Sequence, residues 1–255
     1  QIADQYPSLS QELSELLAEE VEQLSAQLLY EQERQQELRP YLVPRVSRGV
    51  IGASRYAQRL RQAVRTAASV TPDASGQRDS VLIFGEPGLE KDNLAALIHF
   101  GSEYKKEPMI KVNCETLRAV DLFGRGDSRP GLLDWLGTGT LLLNNIQDLD
   151  PDIRPAILRL LKTRQYQPSV QPGQAPPTLK TSSAWIMMIS EKSLTPFANL
   201  SPQTIKVPPL RVRKTDMAAQ INYYIQLYCR QRGLSKPTLT SEALRRLQSY
   251  DFPGN

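Results

Sequence analysis

Apolar residues fall into three kinds of pattern along this chain, and each predicts a different element. In residues 8–38, Leu13, Leu17, Val21, Leu24 and Leu28 recur at spacings of 4, 4, 3 and 4. That spacing predicts an amphipathic helix with its acids on the opposite face, and Ser8 or Ser10 is placed to cap it. Heptad order lasts about three turns, so pairing with a second helix and packing on a globular body are both open. Pro40 and Pro44 end the pattern, and Arg39 to Arg48 reads as an extended linker. A second helix is expected over 55–69, capped by Ser54. Beyond it come short runs that are almost wholly apolar: Val81–Phe84, Met109–Val112, Leu141–Leu143 and Ala184–Ile189. Helical stretches near 91–102 and 151–164 separate them. Apolar strands alternating with helices predict a parallel sheet covered on both faces. The stretches 71–79 and 165–183 carry no period and read as loops; the second holds Pro168, Pro172, Pro176 and Pro177. From Lys214 onward the pattern is helical, about 214–231 and then 240–250, the latter opened by Thr240 or Ser241. Three regions follow: an acidic helix with linker (1–47), an α/β body (48–210) and a small helical region (211–255).

Charge sharpens this division. The net charge is +4 over 255 residues. Residues 1–37 hold nine acids and one base, a balance of −8, so the remainder carries +12. A basic body suits phosphates, nucleic acid or its own acidic arm. No apolar run is long enough to span a membrane, and no basic-then-apolar leader is visible. Cys114 and Cys229 lie in apolar contexts far apart, which predicts buried free thiols and a cytoplasmic setting. His99 is the single histidine, so no zinc site and no serine–histidine–acid arrangement is expected; a packed helix histidine is the reading. Trp135 and Trp185 read as core. Tyr223, Tyr224 and Tyr228 read as core or interface of the C-terminal helices.

The chemistry concentrates in Gly85-Glu86-Pro87-Gly88-Leu89-Glu90-Lys91-Asp92, directly after the strand Val81–Phe84. A strand, a glycine-bearing turn and a lysine at the head of a helix make a cradle for nucleotide phosphates. Glu90 disturbs it. A carboxylate beside a site built for anions repels the ligand by roughly 4 kcal/mol at 4 Å and an effective dielectric near 20. Lys91 can also pair with Glu90 and be lost to the phosphate. The other reading has Glu90 swung out, with nucleotide still bound.

Around this loop, the chain resembles the AAA+ ATPase domain of sigma-54-dependent transcription activators. Gly49-Val50-Ile51-Gly52-Ala53-Ser54 resembles the opening segment near the adenine, where Val50 and Ile51 would lie. Gly85–Gly88 with Lys91-Asp92 resembles the phosphate loop, Val112-Asn113-Cys114 and Asp121-Leu122-Phe123-Gly124 the next strand and turn, and Gly139–Leu143 the second nucleotide strand. Pro208-Pro209-Leu210-Arg211-Val212-Arg213 and Phe252-Pro253-Gly254-Asn255 resemble the linker and a lid that is truncated here. The resemblance covers roughly 48–255. It implies an AAA+ P-loop fold with ATP or ADP as ligand, and the RNA polymerase sigma factor as a partner.

Four departures oppose the implied activity. The glycine before the loop lysine is Glu90. The family's metal-holding Asp and water-activating Glu are Asn144 and Asn145; amides bring no charge to Mg²⁺ and take no proton at neutral pH, and loss of a general base alone costs ~10²–10⁴ in rate. Gly124–Gly131 lacks the inserted sigma-contacting loop. Pro196–Leu200 offers no arginine to a neighbouring subunit, and the sensor position reads Ser190-Glu191. The resemblance thus implies a pseudo-ATPase that docks partners, self-associates or senses nucleotide. ATP or ADP would bind weakly, Mg²⁺ would be poorly held, and no DNA-binding motif is seen. The alternative is an active ATP-dependent activator.

Overall fold

The computed structural model describes residues 7–46, 48–74, 76–126, 128–170, 177–201 and 203–255, with side chains from residue 11. The chain divides into two compact units, Gln1–Pro40 and Tyr41–Asn255.

In the first unit, helix α1 spans Pro7–Leu38. It starts before Ser8 and Ser10, so neither is the cap; their side chains lie outside the described residues. The predicted stripe is real but uncovered. Leu13, Leu17, Val21, Leu24 and Leu28 are all more than half exposed, and Leu16 and Leu29 widen the apolar surface.

The second unit is built on a five-stranded sheet. Its strands are β1 (Val81–Phe84), β2 (Met109–Asn113), β3 (Thr140–Asn144), β6 (Trp185–Ser190) and β7 (Gln203–Lys206), in the order β2-β3-β6-β1-β7. Every pairing is parallel: Val81 lies opposite Met187 and Gln203, Met109 opposite Thr140, and Thr140 opposite Trp185. The predicted apolar runs are the four inner and leading strands. β7 was not foreseen. Only Ile205 of its four residues is buried, because an edge strand meets the core on one face. A two-residue antiparallel ribbon, β4 (Gln165–Tyr166) with β5 (Lys180–Thr181), lies inside the stretch read as loop. Residues 171–176 of that stretch lie outside the described residues.

Helices cover both faces of the sheet. They are α2 (Arg55–Ala68), α3 (Lys91–Gly101), α4 (Ala119–Phe123), α5 (Leu132–Leu136), α6 (Arg154–Thr163) and α7 (Thr195–Ala198). The α2 side buries Leu60, Val64 and Ala67 against Val81, Ile83, Ala95 and Ile98 in one cluster. Ser54 caps α2 as expected, its hydroxyl accepting from the Ala57 amide at 3.1 Å. The C-terminal helices are α8 (Met217–Arg232) and α9 (Ser241–Ser249), and Thr240 caps α9 through the Ala243 amide.

Cys114 and Cys229 are buried free thiols, and burial pushes the Cys114 thiol up to about 12. His99 is fully buried. Its Nε2–H donates to the Glu107 carbonyl at 3.1 Å and its Nδ1 accepts from the Thr140 hydroxyl at 2.8 Å. Trp185 is core, whereas Trp135 is partly exposed. Tyr224 and Tyr228 are not core either: they are 42% and 52% exposed. No described helix is long and apolar enough to cross a membrane.

Candidate functional site

The sheet topology gathers the candidate residues at one rim. In a parallel sheet, the loops that follow the strands converge outside their C-terminal ends. Here the loop after β1 carries Gly85–Glu90, the end of β3 carries Asn144 and Asn145, and the end of β6 carries Ser190 and Glu191. The Gly85 amide donates to the Ser190 carbonyl at 3.2 Å, tying the loop to β6. A cavity of about 380 Å³ is lined jointly by Pro87, Lys91, Asp92, Asn144, Asn145 and Glu191. The residues singled out as phosphate loop, degenerate acids and sensor therefore meet in one space.

A second cavity, of about 340 Å³, adjoins it across Gly88, Leu89 and Glu90. Its walls mix apolar side chains, Val50, Ile51, Leu94, Met217 and Ile221 among them, with polar ones such as Asn93 and Gln220. Val50 and Ile51 are held there from two sides. Arg61 Nη1 donates to the carbonyls of Val50 and Gly52, at 2.9 and 2.7 Å. The buried Asp216, just before α8, accepts from the Ser54 amide at 2.8 Å and from the Ser54 hydroxyl.

The loop itself departs from the simplest expectation. Glu90 adopts a left-handed conformation (φ 50°, ψ 43°) at the head of α3. An L-residue tolerates that region at a cost of roughly 1–2 kcal/mol, which glycine would avoid. Its side chain does not enter the phosphate loop. It turns away, accepting from the Tyr224 hydroxyl at 2.9 Å and from the Arg48 guanidinium. Arg48 also donates to Tyr224 Oη at 2.6 Å and lies over the rings of Tyr223 and Tyr224. Nor does Lys91 pair with Glu90. Its ammonium donates to the carbonyls of Gly85 and Glu86, both at 2.8 Å. Burial lowers the Lys91 pKa, opposed by the nearby charges of Glu191 and Asp92. Asp92 itself pairs with Lys111 at 3.2 Å.

The C-terminal segment closes over the same loop. Arg211 forks onto Glu86, whose carboxyl is held down at about 2 by that guanidinium and by Asn255. The Asn255 amide donates to the Pro87 carbonyl at 2.9 Å, and its Oδ1 accepts from the Leu210 amide at 2.8 Å. Gly88 lies so close beneath Gly254 that a Cβ would sit 2.1 Å from the Gly254 carbonyl oxygen. Arg213 lines the second cavity, and its buried Nε has no hydrogen-bond partner.

At the end of β3, the Asn144 and Asn145 amides are neutral and weakly engaged. Asn145 is also left-handed (φ 56°) and reaches the Asn113 side chain only at 3.5 Å. Asp148 follows in a one-turn helix past the strand end, Ile146–Asp148, outside the six cavity-lining residues named above. Among the described residues no cluster of three or more His, Cys, Asp or Glu could hold a metal ion. Sequence reasoning missed the site role of Arg48 and Tyr224, assigned to a linker and to the core or interface of the C-terminal helices. Their shared partner Glu90 lies 42 and 134 positions away, and no local pattern connects them.

Comparison with known proteins gives a consistent picture. Residues 50–176 match the family model described as "Sigma-54 interaction domain". The DNA-binding transcriptional activator HyfR of Escherichia coli K12 is 29% identical over 202 residues, 72% of this chain and 30% of that protein. The regulatory protein LuxO of Vibrio cholerae is 30% identical over 199 residues, 69% of this chain and 37% of LuxO. The chain thus spans about a third of these relatives' length. Among solved structures, NtrX from Brucella abortus in complex with ATP superposes with a TM-score of 0.67 at 23% identity, covering 94% of this chain and 52% of that one; its ADP complex gives the same values. At that identity the likeness concerns the fold.

Proposed function

We propose that this chain, whose residues 50–176 match the sigma-54 interaction domain of transcription activators, is a regulatory AAA+ module that binds adenine nucleotide weakly and does not hydrolyse it. The carrying observation is the pair of neutral amides, Asn144 and Asn145, facing the phosphate loop across the shared cavity. A hydrolytic site there needs one group to carry the metal and another to take a proton from water. Amides do neither at neutral pH.

The two ends of the site differ in fit. The base end suits a nucleoside: it is a cavity of about 340 Å³ where Val50, Ile51, Leu94, Met217 and Ile221 can take a ring beside polar side chains. The metal end does not suit Mg²⁺. Glu191 shares its space with the ammonium of Lys91, and Asp92 is paired with Lys111. When nucleotide enters, Lys91 would exchange the two loop carbonyls for phosphate oxygens, and the helix-head amides of α3 would face the same oxygens.

The swing of Glu90 favours a second reading, an active ATP-dependent activator, because it leaves the loop itself free of a repelling carboxylate. The two readings part on turnover. Titration with ATP and Mg²⁺, with phosphate release followed in parallel, should give weak saturation and release equal to the protein-free blank. Steady release that disappears in Lys91→Ala would overturn the proposal in favour of the active enzyme. Without turnover, output would pass through contact: protein partners or self-association, the exposed apolar stripe of α1 being one surface available for it. A sigma factor is a partner by family likeness alone.

A further inference from the structure

Strand β7 ends the sheet order and pairs, among the described residues, with β1 alone. The Val207 amide, one residue beyond it, donates inward to the Phe84 carbonyl at 2.8 Å. Backbone groups alternate sides along a strand, so the N–H and C=O of Thr204 and Lys206 point outward, away from the sheet. Beside that edge lies a groove of about 410 Å³, walled by Tyr56, Leu60 and Ala63 of α2 and by Pro208 and Val212 past the strand. Tyr56 and Val212 are 40% and 47% exposed. Arg59 and Lys206 also line the groove, both exposed, and Arg55 lies one turn from Arg59 on α2. The ion pairs among the described residues of this unit involve none of these three bases. We propose that this edge docks an extended acidic segment of a partner protein, which adds to β7 as a further strand with apolar and acidic residues alternating.

Each part of the surface selects one feature of that segment. The outward N–H and C=O groups of Thr204 and Lys206 match an extended backbone and no helix. Ile205 packs with Leu60 in the core, on the α2 face of the sheet, so Thr204 and Lys206 project from the opposite face. A peptide residue beside Ile205 therefore turns its side chain toward α2 and the groove, which takes an apolar group. The next residue turns toward Lys206, which takes a carboxylate. Arg59 and Arg55 draw acids that extend past the groove. The segments of this chain itself fit less well. A second copy pairing edge to edge would bring two sets of Lys206 and Arg59 together. The acidic arm has the right charge but is committed to helix over Pro7–Leu38, so it offers no strand. A nucleic acid would satisfy the bases but leave the apolar wall and the outward carbonyls unmatched. Docking here does not depend on turnover at the nucleotide rim, so peptide binding and phosphate release can fail independently.

The test is fluorescence anisotropy of the full chain with a labelled peptide of four valine–aspartate repeats. It should saturate below about 1 mM. A peptide of the same composition with valines and aspartates in separate blocks should bind at least about tenfold more weakly, as should one with lysine in place of aspartate. Thr204→Pro removes an outward N–H that takes no part in pairing with β1, and should weaken binding about five- to tenfold. Thr204→Val loses the same hydroxyl bond to the Ser201 carbonyl but keeps the N–H, so it should match the wild type within about twofold. Lys206→Glu should weaken binding about fivefold or more. Circular dichroism checks the fold of each variant, and Lys206→Glu decides alone if Thr204→Pro does not fold. The proposal is overturned if the alternating peptide does not saturate, if the block peptide binds as well, or if either folded variant, Thr204→Pro or Lys206→Glu, binds like the wild type. Duplex DNA that binds more tightly than the peptide and is weakened by Lys206→Glu would assign the surface to nucleic acid. A dimer in sedimentation that Thr204→Pro dissolves would assign it to a second copy. Either result also overturns the proposal.

Discussion

Replacing Gly88 by alanine should strike the contact between the phosphate loop and the C-terminal segment. Gly88 has φ 78°, in the left-handed region, and an added Cβ would lie 2.1 Å from the Gly254 carbonyl oxygen and 3.2 Å from its carbon. The backbone term alone is roughly 1–2 kcal/mol. The overlap is with backbone, so no side-chain rotation relieves it, and the Phe252–Asn255 turn must lift. That movement breaks the Asn255 bonds to the Pro87 carbonyl and from the Leu210 amide, each contributing about 0.5–1.5 kcal/mol. The expected total is about 2–5 kcal/mol. Gly233→Ala supplies the control. Gly233 is left-handed too (φ 64°) and ends α8, but nothing lies within 4 Å of its Cβ position, so it should lose only the backbone term. Urea unfolding followed by tryptophan fluorescence reports the 41–255 unit through Trp135 and Trp185. The reasoning is refuted if Gly88→Ala is no more destabilised than Gly233→Ala within about 0.5 kcal/mol, a margin set by typical surface substitutions.

Three further outcomes are expected. His99 is buried neutral, its pKa lowered from 6.5 to about 4 by burial; the unfolded chain binds the proton first, so stability is full above pH 6.5 and falls by on the order of 3 kcal/mol as pH drops to 4, which urea midpoints in wild type and His99→Gln would show as a slope confined to the wild type. The Glu86 carboxyl is lowered to about 2 mainly by Arg211, so its contribution is present above the ordinary value of 4.5 and lost as pH falls toward 2; hydrogen exchange at 250–255 should rise over that window in wild type, and Arg211→Ala should show the higher exchange already at pH 7. Restoring acids with Asn144→Asp and Asn145→Glu should make nucleotide affinity rise with Mg²⁺, while the wild type stays indifferent to it in the same titration.

Much of the fold was legible because burial and sequence agree. Val81–Phe84 and Trp185–Ile189 are apolar throughout and sit inside the sheet with both faces covered. Ser54 and Thr240 read as caps because capping is a local contact. β7 was invisible because Gln203, Thr204 and Lys206 stay polar on an edge that buries Ile205 alone. At the site, the loop, the amides and Glu191 could be placed by motif order, since the strands deliver them to one rim. The direction of Glu90 could not. It depends on Arg48 and Tyr224, which only tertiary folding brings to it. Tyr224 read as core or interface because its spacing with Tyr223 and Tyr228 is helical; its hydroxyl has polar partners and its ring stays partly exposed, so it is not core.

The account turns on whether the amide-bearing rim of the sheet can cleave a triphosphate at all. Single-turnover incubation answers this most directly: γ-labelled ATP with Mg²⁺, protein in large excess so that weak binding cannot mask chemistry, sampled over hours. The account predicts that label loss follows the protein-free control in both wild type and Lys91→Ala. Conversion to ADP by the wild type, lost on Lys91→Ala, would contradict it.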